Sequence, residues 1–221
     1  MKAISAFDVI GPNMIGPSSS HTAGAVRIAL LTRKLIKGEI RSAAFTLYGS
    51  FARTYKGHGT DRALVAGILG FEADDPRIRD SFRHAEARGV AISFSIDTEE
   101  REVHPNTVDI AVIDEMGEAI TVRGVSTGGG RAEIRAIDGV DVKLSGEYST
   151  IFIRHRDTPG VVAHIAGKLS THRINIAFMR LYRENKGEKA CTIIEADEAI
   201  PADVIDQIEA HGDIASAILI Q

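Results

Sequence analysis

Residues 149–182, "STIFIRHRDTPGVVAHIAGKLSTHRINIAFMRLY", decide how the C-terminal part of the chain folds. "STIFIRH" (149–155) reads as a strand, and in "RDTPGVV" the Pro159-Gly160 pair feeds a helix over 161–171. "INIAFMRLY" (174–182) reads as a second strand. "ACTIIEA" (190–196) and "IASAILI" (214–220) are two more, separated by a helix over 202–211 with Pro201 ahead and Gly212 behind. Strand, helix, strand, strand, helix, strand is the ferredoxin-like βαββαβ order. The polar, glycine-containing run Ser145-Gly146-Glu147-Tyr148 precedes it and divides the chain into domains at 1–146 and 149–221.

Upstream, the pattern is α+β. Ala25, Ile28, Leu31 and Leu35 fall on one face of a helix over 25–37 that Gly38 can end. "AAFTLYG" (43–49) reads as a strand and "SFARTYKGHG" (50–59) as a glycine-rich connection; Thr60 is then the N-cap of "DRALVAGIL", closed by Gly70. Asp75-Pro76 caps a helix carrying Ile78, Phe82 and Ala85, and "VAISFSI" (90–96), "VDIAVID" (108–114) and "AITVRG" (119–124) follow as strands, the last two joined by a Glu-Met-Gly-Glu turn. "RAEIRAI" and "VDVKL" flank Asp138-Gly139, a strong hairpin signal.

The 221 residues, 44% hydrophobic, suffice for one large or two small cores. Twenty-six basic and 30 acidic residues are mixed along the chain to a net charge of -4, without the basic stripe that nucleic-acid binding uses. No apolar run is long enough for a membrane span, and no signal peptide is evident, which points to a cytoplasmic protein. Cys191 is the one cysteine, so neither an intrachain disulfide nor a cysteine-ligated metal or iron-sulfur centre can be built from this chain alone. Its strand-like setting gives it an apolar, buried role.

"IGPSSSHTAG" (15–24) sets Ser18, Ser19, Ser20, His21 and Thr22 at a helix start. Unpaired N–H groups and the positive end of the helix dipole there can surround a carboxylate or phosphate. The plainer reading is N-capping, which one hydroxyl already supplies. "GHGTD" (57–61) repeats the arrangement with His58, and two such helix starts facing one cavity would form an anion-binding pocket. In "VHPNT" (103–107) Pro105 pushes His104 out of helical geometry; alone, that ring is a surface histidine. "STGGGR" (126–131) is either a flexible bend or a loop whose amides approach a ligand closely. His84, His155, His164, His172 and His211 lack such neighbours and read as structural or solvated, with His155 set apart by its place near the turn at Pro159-Gly160.

The "RDTPGVV" turn followed by "INIAFMRL" resembles the ACT domain, a regulatory fold that binds amino acids between paired copies; the resemblance covers 149–221. The strings "FDVIGPNMIGPSSSHTAGAVRIA", "LYGSFARTYKGHGTDRALVAGIL", "HPNT" and "STGGGRAEI", in this order and ahead of an ACT domain, resemble the beta chain of bacterial iron-sulfur-dependent L-serine dehydratases. This implies an α+β first domain akin to the allosteric substrate-binding domains of some serine-pathway dehydrogenases. It also implies deamination of L-serine to pyruvate and ammonia together with an alpha chain whose own cysteines carry a 4Fe-4S cluster.

On that resemblance His58, His21 and His104 are the motif histidines of the catalytic site, with His58 the first choice for the base. Ser18, Ser19, Ser20, Thr22 and Asn106 bind the substrate, Lys56 and Asp61 flank His58, and Gly160 and Asn175 belong to an effector site in the ACT domain. Side-by-side ACT sheets would form a dimer. A pyridoxal-phosphate route would need Lys56 beside Gly57 and a larger enclosing fold. The competing reading is a purely regulatory amino-acid-binding subunit.

Overall fold

In the computed structural model, which describes residues 13–100, 102–146, 148–183 and 185–220, the first apolar stripe becomes α1 (Gly24–Lys34). Ala25, Ile28, Leu31 and Leu35 are all buried, as their spacing requires. The helix is shorter than its pattern because the chain turns off at Leu35 and Ile36, where the Arg33 side chain donates to the Ile36 carbonyl at 2.8 Å. Residues 7–12 of the opening motif lie outside the described residues.

Two compact units divide between Ser145 and Gly146. The first contains β1 (Ile40–Tyr48), α2 (Gly49–His58), α3 (Thr60–Ile68), α4 (Ser81–Ala87), β2 (Ala91–Asp97), β3 (Thr107–Asp114), β4 (Ala119–Gly128), β5 (Arg131–Ile137) and β6 (Val140–Leu144). Its sheet runs β2-β1-β3-β4-β5-β6. Only β1 and β2 pair in parallel, across the helical crossover, and Phe45 and Phe94 stack face to face at 4.7 Å on those two strands. The hairpins form as expected: Asp138 and Gly139 both take positive φ between Ile137 and Val140, the type I′ geometry. The "STGGGR" glycines are neither a bend nor an open loop. Gly129 and Gly130, at φ 61° and 79°, form the tight turn of the β4–β5 hairpin.

The segment expected to be a glycine-rich connection is α2. Phe51 and Ala52 bury against the core and outweigh Gly57 in the helix interior. The chain breaks only at Gly59, whose φ of 67° is the left-handed helix end that glycine takes without strain. Thr60 is therefore the first residue of α3 rather than its N-cap.

α1 is seated by glycines. A Cβ at Gly67 of α3 would overlap the Val26 carbonyl, one at Gly124 of β4 would overlap Ile28, and one at Gly24 would overlap Ser126. These three positions set how closely α1 approaches α3 and the sheet.

The second unit is β7 (Ser149–Arg156), α5 (Val161–Thr171), β8 (Ile176–Arg183), β9 (Lys189–Ala196), α6 (Ala202–Glu209) and β10 (Ile214–Ile220). Its antiparallel sheet runs β10-β7-β9-β8, the ferredoxin-like order expected from 149–221. Ile151, Ile153 and Ile194 pack with Val161, Ile165, Leu169, Val204 and Ile208 of the two helices. His155 is buried; its Nδ1 donates to the Arg156 carbonyl at 2.8 Å and its Nε2 meets the Thr192 hydroxyl at 2.9 Å. Cys191 is buried, as its strand setting required. The remaining histidines have structural contacts: His84 lies edge-on to Phe71, His164 donates to the Gln207 and Ile208 carbonyls, His172 meets Gln207, and His211 accepts from the Asp213 amide. No helix among the described residues is long and apolar enough to cross a membrane.

Gly67→Ala is expected to destabilise the chain by about 1–3 kcal/mol, since backbone rather than a flexible side chain must yield. Gly167→Ala, in α5 with no atom within 4 Å of the added carbon, is expected to be neutral or to stabilise by roughly 0.5–1 kcal/mol. Urea unfolding of both variants checks the contrast.

Candidate functional site

Ahead of α1 the chain makes a single π-helical turn, Ser19–Ala23, whose wider i→i+5 bond runs from the Gly24 amide to the Ser19 carbonyl. Ser18 caps it by accepting from the His21 amide at 3.1 Å. Ser19 and Ser20 thus lie within the turn, and His21 projects from its middle.

His21 Nε2 is 3.0 Å from the hydroxyl of Ser50, in the first turn of α2. Its ring meets Phe51 edge-on, with centroids 5.2 Å apart, and lies against the His58 ring at 4.8 Å. The Thr22 hydroxyl donates to the His58 carbonyl at 3.0 Å, satisfying one of the carbonyls that the end of α2 leaves without an intrahelical partner. Gly16, at φ 141°, gives Thr22 room, because a Cβ there would come within 2.5 Å of its methyl group. The structure therefore brings His21 and His58 side by side.

The His104 loop docks on the other end of the same helix. The Pro105 carbonyl accepts from the Ser50 amide at 2.6 Å and from the Phe51 amide at 3.3 Å. The Asn106 carbonyl accepts from the Ser126 amide at 3.0 Å. His104 itself is exposed. Its Nδ1 accepts from the Asn106 amide at 3.2 Å, so in the neutral ring Nε2 carries the hydrogen. His104 joins the other two histidines through the backbone of its loop.

Ser18 and Ser20 stand 3.5 Å apart, and Ser20 Oγ is 3.4 Å from His21 Nδ1. Thr22 is buried with its hydroxyl hydrogen committed to His58, which makes it a strut of the site. Lys56 lies over the Tyr55 ring, and the Asp61 carboxylate accepts from the Arg62 amide. His58 Nδ1, Thr60 Oγ1 and Ser126 Oγ are buried and make no hydrogen bond, an uncommon state for such atoms. Ser50 is the residue that sequence reasoning missed, since its partners His21 and Pro105 lie in remote segments.

Burial lowers the pKa of His21 below its ordinary 6.5, and the neighbouring His58 lowers it further. Among the described residues no group of three or more His, Cys, Asp and Glu could hold a metal ion.

In the second unit Gly160, at φ 99°, follows the C-terminal end of β7. Asn175 precedes Ile176, which aligns with Ala196 and through it with Ser149 at the opposite end of β7. The two do not meet within one chain. A cavity of about 610 Å³, lined by His155, Arg156, Glu188, Lys189 and Asp213, includes neither.

The two units define an α+β domain carrying a histidine pair, followed by an ACT domain; the ACT family model matches residues 149–213. The model described as serine dehydratase beta chain matches residues 5–135, and the chain belongs to that family. It is 43% identical over 208 residues to a protein described as probable L-serine dehydratase, beta chain, of Bacillus subtilis, covering 94% of each chain. It is 42% identical over 201 residues to the L-serine dehydratase beta chain of Peptoniphilus asaccharolyticus, covering 90% of each. A D-3-phosphoglycerate dehydrogenase of Bacillus subtilis is 27% identical over 202 residues, 89% of this chain and 37% of that one.

Because folded His21 takes up its proton at lower pH than the unfolded chain, the unfolded state binds more protons just below pH 6.5. Stability is expected to fall as pH drops from 6.5 through that window and to be unaffected by His21 above it. Imidazole NMR should show His21 titrating below 6.5, with His58→Ala raising its pKa part of the way back.

Proposed function

We propose that this chain is one subunit of an L-serine dehydratase and completes, with an alpha chain, the site that converts L-serine to pyruvate and ammonia. The observation that carries the reading is the His21–His58 pair, 4.8 Å between ring centres, set where a hydroxyl-rich helix start meets a helix end. The positive end of the turn leading into α1 suits the substrate carboxylate, with the Ser18, Ser19 and Ser20 hydroxyls in that turn.

His58 is the proton acceptor. It is the last residue of α2, against the His21 ring. His21, its proton affinity reduced by burial, stays neutral beside it, so His58 can charge without a second cation in contact. The α-proton passes to the His58 imidazole, the C–H pair forms the double bond, and the β-hydroxyl leaves to end as water. The resulting aminoacrylate tautomerises to the imine, and water hydrolyses it to pyruvate and ammonia. His104 is exposed and is tied to this region through the backbone of its loop.

The 4Fe-4S cluster implied by the family resemblance finds no donor set in this chain. Cys191 is the one cysteine, it is buried in the ACT domain, and a cluster needs several thiolates. The cluster belongs on the partner alpha chain, and this chain's own share is substrate binding and proton transfer.

Anaerobic co-expression with a cysteine-bearing alpha chain, assayed for pyruvate from L-serine, tests the reading. His58→Ala is expected to lower turnover by about 10²–10⁴-fold at equal assembly and iron content. Full turnover in the variant would remove His58 as the base, and an altered effector response with turnover intact would favour a regulatory subunit. An inactive wild-type pair with its cluster intact would overturn the dehydratase reading.

A further inference from the structure

Ser50 is bonded at three of its atoms, each to a different part of the site. Its amide donates to the Pro105 carbonyl at 2.6 Å, its carbonyl accepts from the Thr54 hydroxyl at 2.8 Å, and its hydroxyl meets His21 Nε2 at 3.0 Å. The other ring nitrogen of His21 has only Ser20 Oγ at 3.4 Å, beyond the usual range of about 2.7–3.2 Å. Ser50 therefore makes the one short hydrogen bond to that ring among the described residues, while Phe51 and His58 supply only ring contacts.

Local backbone geometry fixes where Ser50 stands. Gly49 has φ of 51°, and a Cβ there would lie 2.7 Å from the Pro105 carbonyl oxygen and 2.8 Å from its Cα. Glycine thus lets the loop carrying His104 press onto the first turn of α2, and the Pro105 carbonyl then takes the Ser50 and Phe51 amides. A shift of that loop moves Ser50, and a shift of Ser50 moves the His21 ring.

We propose that Ser50 is the positioning residue of His21, holding its imidazole in one orientation beside His58 and tying it to the loop that carries His104. Its catalytic consequence rests on the dehydratase reading; its effect on the ring does not. Ser50 acts through His21, so its loss leaves substrate contacts in place and disturbs proton transfer.

The first measurement is on the isolated full-length chain: long-range ¹⁵N–¹H spectra of the imidazoles across pH, for wild type, Ser50→Ala, Ser50→Thr and Ser50→Cys. Wild-type His21 is expected to give the ring-nitrogen shifts of a hydrogen-bonded Nε2, Ser50→Ala to change those shifts and displace the His21 titration, and Ser50→Thr, which keeps the hydroxyl, to return both towards wild type. Ser50→Cys, similar in size but a weak donor, guards against misfolding of the alanine variant and is expected to fall between. His21 shifts and titration identical in wild type and Ser50→Ala overturn the proposal. In the assembled enzyme Ser50→Ala is expected to lower kcat about ten- to a hundredfold with little change in KM, and to displace the acid limb of the kcat profile. A raised KM at unchanged kcat contradicts positioning. Changed His21 spectra together with a wild-type pair that leaves serine untouched would uphold Ser50 as the holder of the ring and remove the dehydratase reading instead.

Discussion

The approach of α1 to its neighbours is the constraint on which the first unit depends. Gly67 and Gly124 let the helix lie against α3 and β4 with Val26, Ala29 and Ile28 filling the space that two side chains would otherwise take. Interiors packed at crystal density transmit such placement rigidly, so the turn at the head of α1 inherits the position of its body. Gly24 extends the contact to Ser126, directly under the last residues of that turn. His21 is thus delivered by the packing of a helix whose buried face is apolar, and the serines around it add cap bonds to a position already set.

α2 brings the other groups to the same place because both its ends are held from outside. At its start the Pro105 carbonyl takes two amides that no helix can satisfy internally, and at its end Thr22 takes the carbonyl of His58. The first contact brings in the loop from between β2 and β3, and the second brings in the turn before α1. Ten residues of helix therefore join three separate segments of sequence. The buried atoms His58 Nδ1 and Ser126 Oγ, which make no hydrogen bond, lie in or beside these same segments.

The second unit was legible because its punctuation is local. Pro159-Gly160 and Pro201 open helices wherever they occur, and Gly160 takes the positive φ that its turn requires. The paired strands also carry enough apolar residues to show themselves. In the first unit the same logic misled at residues 50–59, where two glycines in a short run suggested a connection. Gly57 costs a helix only roughly 1 kcal/mol, however, which the burial of Phe51 exceeds, and only Gly59 breaks the chain. The motif histidines could be picked out as a group, and the His21 and His58 segments read as facing one cavity, but the sequence held no sign that the His104 ring stays outside. Ser50 was hidden for the same reason. Its role comes entirely from two segments remote in sequence, and a serine after a glycine is an ordinary sight.

Two imidazoles in contact cannot serve as two independent bases, because a proton on one disfavours a proton on the other. The surroundings break the tie. Burial already works against charge on His21, whose ring is enclosed by Phe51 and Ser50. The backbone that carries His58 is pinned by Thr22. On the proposed reading, His21 packs against His58 and leaves the proton transfer to it. The contact between the two rings arises from where α1 and α2 place their ends, and those ends are set by glycines that lie outside the pair.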